Sequence, residues 1–369
     1  MQMNFTLPTR LFTGKGCVIQ NASELSALGK KALIVTGQSS AVKSGALNDV
    51  VSALSLQNVG YALYDKIEQN PTFESCKEAS LLAVRENADF IIGIGGGSPL
   101  DAAKAVAVLA TDERLDADGL YAFDYTARRP LPIAAVGTTA GTGSEVTPVA
   151  VITTNGLKKS LRHTRLFPTV SFGDPSYTLS LPLSFTRSTA TDALAHCLES
   201  FFNRTANELS RTFALRGIAI LLDTLPKIES ENPISFETRE ALYCASLYGG
   251  LAISVTGTAF PHAMSYFLSE RYGIAHGTAC SAYLPAFLSH NEKAEPALYA
   301  AFLSALHTDT ETLLALIRQN SPCPSVSLSE KEISELLVRY KNNGSLKKCL
   351  GTADEKVAEA LLTRLFGKH

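Results

Sequence analysis

The sequence predicts an α/β domain over residues 1–180 followed by an all-α domain over residues 181–369. Three observations carry that prediction. Short apolar runs alternate with amphipathic stretches in the first half, strand signals give way to helical periodicity after about residue 180, and Pro175 and Pro182 interrupt both patterns in between. The runs Lys31–Thr36, Gly60–Tyr64, Asp89–Ile94 and Leu131–Val136 are continuous rather than alternating, which suits strands covered on both faces. Leu47, Val50, Val51 and Leu54, then Ala79 and Leu82, fall at three- and four-residue spacing between those runs and predict crossover helices over a mostly parallel sheet. In the second half Leu215, Ile218, Leu222 and Leu225 repeat at helical spacing, and Ser329 with Glu332 forms a capping box ahead of Ile333, Leu336 and Leu337.

Composition narrows the function classes. A chain of 369 residues is long for one core, and 46% apolar against 18% charged excludes disorder. The formal net charge of −2, with no run of one sign, argues against a phosphate-backbone ligand, so no nucleic-acid partner is expected. Neither a leader peptide nor a long apolar span is recognisable, and no membrane partner is expected. The seven cysteines are scattered without a Cys-x-x-Cys pair, which predicts free thiols and a cytoplasmic location rather than a disulfide framework.

The first informative stretch is Ile91-Ile-Gly-Ile-Gly-Gly-Gly-Ser98-Pro-Leu-Asp101-Ala-Ala-Lys104. A strand runs into consecutive glycines, Ser98 is placed to cap a helix, Pro99 suits the first helical position, and Asp101 completes a Ser-x-x-Asp box. Free N–H groups at such a helix start can cradle a pyrophosphate; the alternative is a turn that binds nothing. The spacing matches neither the Rossmann nor the P-loop fingerprint. A second glycine-bearing turn, Gly137–Ser144, follows the 131–136 run, and two such turns at strand C-terminal ends could line one crevice.

The second half holds candidate metal ligands. Asp192 and His196 are four apart, on one face of a helix. His262 and His276 are fourteen apart, about 21 Å along one straight helix, so they share a cation only if Gly273 breaks the helix and folds the chain back. One carboxylate and three imidazoles suit Fe(II) or Zn(II) and leave a position for a substrate oxygen; the alternatives are a helix-capping aspartate and ordinary core histidines.

Taken together, these segments resemble the iron-containing alcohol dehydrogenase family, whose fold is shared with dehydroquinate synthase and glycerol dehydrogenase. The resemblance rests on Pro8–Gly16, Asn70-Pro-Thr72, Gly95–Lys104, Thr138–Thr147, Asp192-x-x-x-His196, and His262 with His276 ahead of Gly277. It implies a dehydroquinate synthase-like fold with an α/β dinucleotide-binding domain, a helical metal and substrate domain, and an active site in the cleft between them. It further implies metal ligation by Asp192, His196, His262 and His276, a pyrophosphate at Gly96, Gly97 and Ser98 with Asn70 and Asp101 nearby, Thr138, Thr139 and Thr142 along the nicotinamide, and Lys159 reaching the cofactor. The implied activity is hydride transfer between NAD(P)(H) and a small alcohol or aldehyde, with Fe(II) as the first choice of metal and Zn(II) as the alternative, in a homodimer. A glycerol dehydrogenase-like or dehydroquinate synthase-like enzyme, or a nucleotide-binding protein without turnover, are the competing readings.

Two positions depart from the family pattern. Tyr266 stands where many members carry a further histidine, so the proton relay is unassigned, with Tyr266 as the candidate. After the first run, Gly37, Ser39, Ser40 and Lys43 replace the acidic residue that would repel a 2′-phosphate, which predicts a preference for NADP(H) over NAD(H); alternatively these residues only cap the next helix.

Overall fold

The computed structural model describes residues 3–231, 233–341 and 343–368. Six strands form one parallel sheet: β1 (Arg10–Thr13), β2 (Lys31–Thr36), β3 (Gly60–Tyr64), β4 (Phe90–Gly95), β5 (Ile133–Gly137) and β8 (Val170–Gly173), in the order β1-β8-β5-β4-β2-β3. Between β5 and β8 the chain makes a separate antiparallel pair, β6 (Val149–Thr154) and β7 (Leu157–Arg162). The runs of β2, β4 and β5 have the expected cause, since side chains of both parities are buried; that of β3 does not, because it is an edge strand with Tyr61 and Leu63 exposed. Leu33, Val35, Ile91 and Ile133 pack on one face with the helices Phe73–Arg85 and Gly97–Leu109. Ala32, Ile34, Ile92, Ile94, Ala134 and Val136 pack on the other with the helix Ala46–Leu56.

The strands that the runs do not announce have physical reasons for their silence. β1 is a four-residue edge strand exposed at both ends, and β7 reads Leu-Lys-Lys-Ser-Leu-Arg because most of it faces solvent. Its hairpin turns at Asn155 and Gly156, both at positive φ, the dipeptide that a two-residue turn of this hand requires.

The remaining helices make a second compact unit. One unit comprises Thr6–Leu181 with Ile234–Tyr243; the other comprises Met1–Phe5, Pro182–Pro233 and Cys244–His369. Among the described residues, the second contains helices and isolated β-bridges but no strand of the sheets. Its central helix, Leu183–Phe201, is buried all round from Ala190 to Phe201, as a helix at the middle of a bundle must be. Phe260, Met264, Phe267 and Leu268 are all core residues of this unit. Ser329 and Glu332 form both halves of the capping box that opens the helix Glu330–Tyr340. Among the described residues no helix is long and apolar enough to cross a membrane.

A buried cation organises the sheet side of the first unit. Lys104 is fully buried, and its ammonium donates to the Ser144 carbonyl at 2.8 Å, Ser144 Oγ at 2.7 Å and the Val149 carbonyl at 2.7 Å. Asp101 lies 3.9 Å from it and accepts from Ser144 Oγ at 2.7 Å and the Val151 amide at 2.8 Å. This network joins the helix Gly97–Leu109 to the segment leading into the β6–β7 hairpin. Burial pushes the Lys104 ammonium down to about 8, with Asp101 and Glu145 opposing.

Removing one member of such a buried network strands the others, so Lys104→Met should lower unfolding free energy by about 3 kcal/mol near neutral pH, measured by urea titration. The native protein binds fewer protons at this site than the unfolded chain between about pH 8 and 10.5, so its contribution to stability rises with pH across that window. Lys104→Met should flatten that slope; an unchanged slope would contradict the assignment.

Candidate metal centre and cofactor turns

Asp192, His196 and Glu199 sit at i, i+4 and i+7 on the buried stretch of the helix Leu183–Phe201, which puts them on one face. His262 lies in the first turn of the helix Phe260–Tyr272. That helix stops at Gly273, which has φ +65°, and the Ile274 amide donates back to the Leu268 carbonyl at 3.3 Å. The chain therefore reverses, and the next helix, His276–Ser281, opens on His276. A Cβ at Gly277 would stand 1.8 Å from the Ser188 carbonyl oxygen and 3.1 Å from Asp192 Cβ, so only glycine allows these two helices to meet backbone to backbone.

The consequence is a convergent donor set. One donor atom each from Asp192, His262, His276 and Cys280 lies within 4.8 Å of the others. His262 Nε2 is 3.4 Å and His276 Nε2 3.9 Å from Asp192 Oδ1. His196 is placed differently: its ring stacks on that of His262 with centroids 4.5 Å apart, and it is outside the four-donor group. Tyr266, one helical turn after His262, holds its ring 6.1 Å from that of His276.

Asp192 Oδ1 and His262 Nε2 are both buried and have no hydrogen-bond partner. Each such atom costs about 1–3 kcal/mol unless something satisfies it. A cation at their meeting point would satisfy both, and the donor types suit a first-row divalent metal. Burial alone would push the Asp192 carboxyl up, but the imidazoles of His196, His276 and His262 together outweigh it and hold the group well below the usual carboxylate range. The site is thus built for positive charge.

Sequence reasoning missed Glu199. This fully buried carboxylate accepts from the Ala259 amide at 2.5 Å and makes a short contact with His262 Nδ1. It therefore fixes the ring of His262 so that Nε2 points at Asp192, the usual office of a carboxylate behind a metal-ligating histidine. The signal was available as a third residue at helical spacing after Asp192 and His196.

The predicted cofactor residues lie in the other unit, most of them at the C-terminal ends of the adjacent strands β2, β4 and β5, with Asn70 in the segment after β3 and Lys159 on β7. Gly95 ends β4 at φ +151°, and Cβ atoms at Gly96 and Gly97 would press within 3.0 Å of Thr139 and 2.8 Å of Thr142 respectively. The two turns are therefore packed side by side, with the Thr138 amide donating to the Gly95 carbonyl at 2.9 Å. Thr138 Oγ1 is buried without a partner. Ser98 does not cap the helix. The helix begins earlier, at Gly97 after Gly96, because chain without Cβ atoms can enter it directly, and Ser98 Oγ instead accepts from the Asn70 amide at 3.2 Å. Asp101 likewise turns inward, both its oxygens engaged by Ser144 and Val151. Gly37 follows β2, with Ser39 ahead of the short helix Ser40–Lys43; the Ser39 side chain makes no capping bond. Lys159 is on β7, its ammonium 3.9 Å above the ring of Tyr121.

Gly277→Ala should weaken Zn(II) binding at least about tenfold by equilibrium dialysis and destabilise the fold by about 1–3 kcal/mol, because a backbone must move. Gly273→Ala, with open space around it but φ +65°, should cost about 1 kcal/mol of stability through strain. Unchanged metal affinity in Gly277→Ala would contradict the packing argument.

Known proteins share this architecture. The family model described as iron-containing alcohol dehydrogenase matches residues 8–175, and its C-terminal counterpart matches residues 186–360. Alcohol dehydrogenase 4 of Schizosaccharomyces pombe is 33% identical over 291 residues, covering 78% of this chain and 68% of its own. An iron-containing alcohol dehydrogenase from Thermotoga maritima superposes with a TM-score of 0.91 at 32% identity over 98% of this chain and 99% of that one. A sulfoacetaldehyde reductase from Bifidobacterium kashiwanohense, solved in complex with NAD+, gives a TM-score of 0.85 at 25% identity over 99% of each chain. With both halves matched in order, the chain belongs to the iron-containing alcohol dehydrogenase family, the metal- and nicotinamide-dependent oxidoreductases of alcohols.

Proposed function

We propose that this protein interconverts small alcohols and aldehydes in the cytoplasm with NADP(H) as its preferred cofactor, and that Asp192, His196, His262 and His276 hold Fe(II). The observation that carries this reading is the pair of buried, unpartnered atoms, Asp192 Oδ1 and His262 Nε2, meeting beside His276. Gly96, Gly97 and the amides that open the helix Gly97–Leu109 hold the pyrophosphate, Ser98 and Asn70 brace that turn, and Asp101 anchors it from within. Thr138, Thr139 and Thr142 line the nicotinamide side, and Lys159 reaches the nucleotide from β7. When bound, the metal supplies Lewis acidity toward the alcohol or carbonyl oxygen, and the nicotinamide gives or takes the hydride. Glu199 keeps His262 in register.

Support for NADP(H) comes from the segment after β2. Ser39 is exposed with a side chain unused in capping, Lys43 is exposed nearby, and no carboxylate stands there to repel a 2′-phosphate. Free thiols at all seven cysteines accord with a reducing compartment.

With Fe(II) or Zn(II) and a short aldehyde, the purified protein should consume NADPH, seen as loss of reduced-nicotinamide absorbance, with kcat/KM at least about tenfold above that for NADH. Ser39→Asp should erase that preference, since a tenfold change needs only about 1.4 kcal/mol of charge repulsion; comparable values for both cofactors in the unaltered protein would overturn it. His262→Ala should lose bound metal and turnover yet retain nucleotide binding, because the cofactor residues lie in the other compact unit. Full activity in that variant would refute the metal assignment.

A further inference from the structure

We propose that Cys280 supplies a thiolate ligand to the same metal, so that the centre carries a soft sulfur donor in addition to its oxygen and nitrogen donors. The inference rests on the metal-centre reading above and adds a ligand to it. Cys280 lies one helical turn after His276 on the helix His276–Ser281 and is fully buried. Its Sγ stands 3.8 Å from each ring nitrogen of His276 and belongs to the group of donors within 4.8 Å of one another, a group that His196 does not join. Asp192 and His262, each more than nine-tenths buried, belong to the same group, and their Oδ1 and Nε2, 3.4 Å apart, make no hydrogen bond. Three different elements thus aim ligand atoms at one point, and sulfur is among them.

Ser265 provides the accompanying polar contact. Its hydroxyl donates to the His262 carbonyl at 2.8 Å and lies 3.2 Å from Cys280 Sγ. In that arrangement the serine oxygen can accept the thiol hydrogen. Once the thiol has lost its proton, the same hydroxyl can rotate and donate to the sulfur. Coordination forms one metal–sulfur bond, breaks one S–H bond and releases that proton to solvent, with no change of oxidation state. A sulfur ligand favours Zn(II), Co(II) and Fe(II) over hard, oxygen-seeking cations such as Mg(II).

The test loads metal-free full-length protein with Co(II) and records uptake by dialysis alongside the near-ultraviolet spectrum. The unaltered protein should bind Co(II) and develop a thiolate-to-cobalt charge-transfer band, which Cys323→Ser, altered at an exposed cysteine, should retain. Cys280→Ser should bind Co(II) at least about tenfold more weakly and lack the band. Cys280→Ala should behave likewise and serves if the serine variant does not fold. Cobalt bound without the band, or a band that survives in either Cys280 variant, overturns the sulfur ligand while leaving the metal centre standing. Failure of the unaltered protein to take up Co(II) overturns both.

Discussion

The close passage of Gly277 beneath the Ser188 carbonyl is the constraint on which the convergent donor set depends. A side chain of any size at that point would drive the helix His276–Ser281 away from the helix Leu183–Phe201, and with it His276 and Cys280 away from Asp192. The reversal at Gly273 then brings His262 into the same space from a third helix. Two glycines therefore do what no pair of ligands could do alone: one lets the chain turn back, and the other lets backbones touch. Glu199, buried behind His262, settles which nitrogen faces the donors.

The nucleotide side follows a parallel logic. Strands β4 and β5 run in register from Ile91 beside Ile133 to Gly95 beside Gly137, so the turns that follow them emerge next to each other. Gly96 and Gly97 pack against Thr139 and Thr142 where side chains would collide. Lys104, buried beneath, and Asp101, half-buried beside it, tie the helix that begins there to the following hairpin segment. The helix start is thus tied down from beneath, as the proposed recognition of a pyrophosphate through backbone amides requires.

Most of the sheet was legible in the sequence because strands buried on both faces leave unbroken apolar runs, as β2, β4 and β5 do. β1 and β8 were not, being four residues long each, and β7 was hidden by its lysines. The hairpin carried a readable signal, Asn155-Gly156, that periodicity alone passes over. The capping box at Ser329 was local chemistry and was read in full, whereas Ser98 looked like a cap until Gly96 and Gly97 took the helix start from it. At the candidate metal centre, helical spacing pointed to Asp192 and His196, and a glycine break suggested how His262 and His276 could meet; the structure brings Asp192, His262 and His276 together and leaves His196 outside that group. Glu199 and Cys280 sit at the same helical spacings, a signal that marks a shared helix face; which neighbours a buried glutamate and a buried cysteine meet there is supplied by the third dimension.

The most direct test of the convergent centre is X-ray absorption at the zinc edge of the Zn(II)-loaded protein. Donors that meet as described give a first shell at about 2.0–2.1 Å with the multiple scattering of imidazole rings, and sulfur at about 2.3 Å. A shell of oxygen atoms alone, with no imidazole signature, would show that the cation rests elsewhere and would contradict the account.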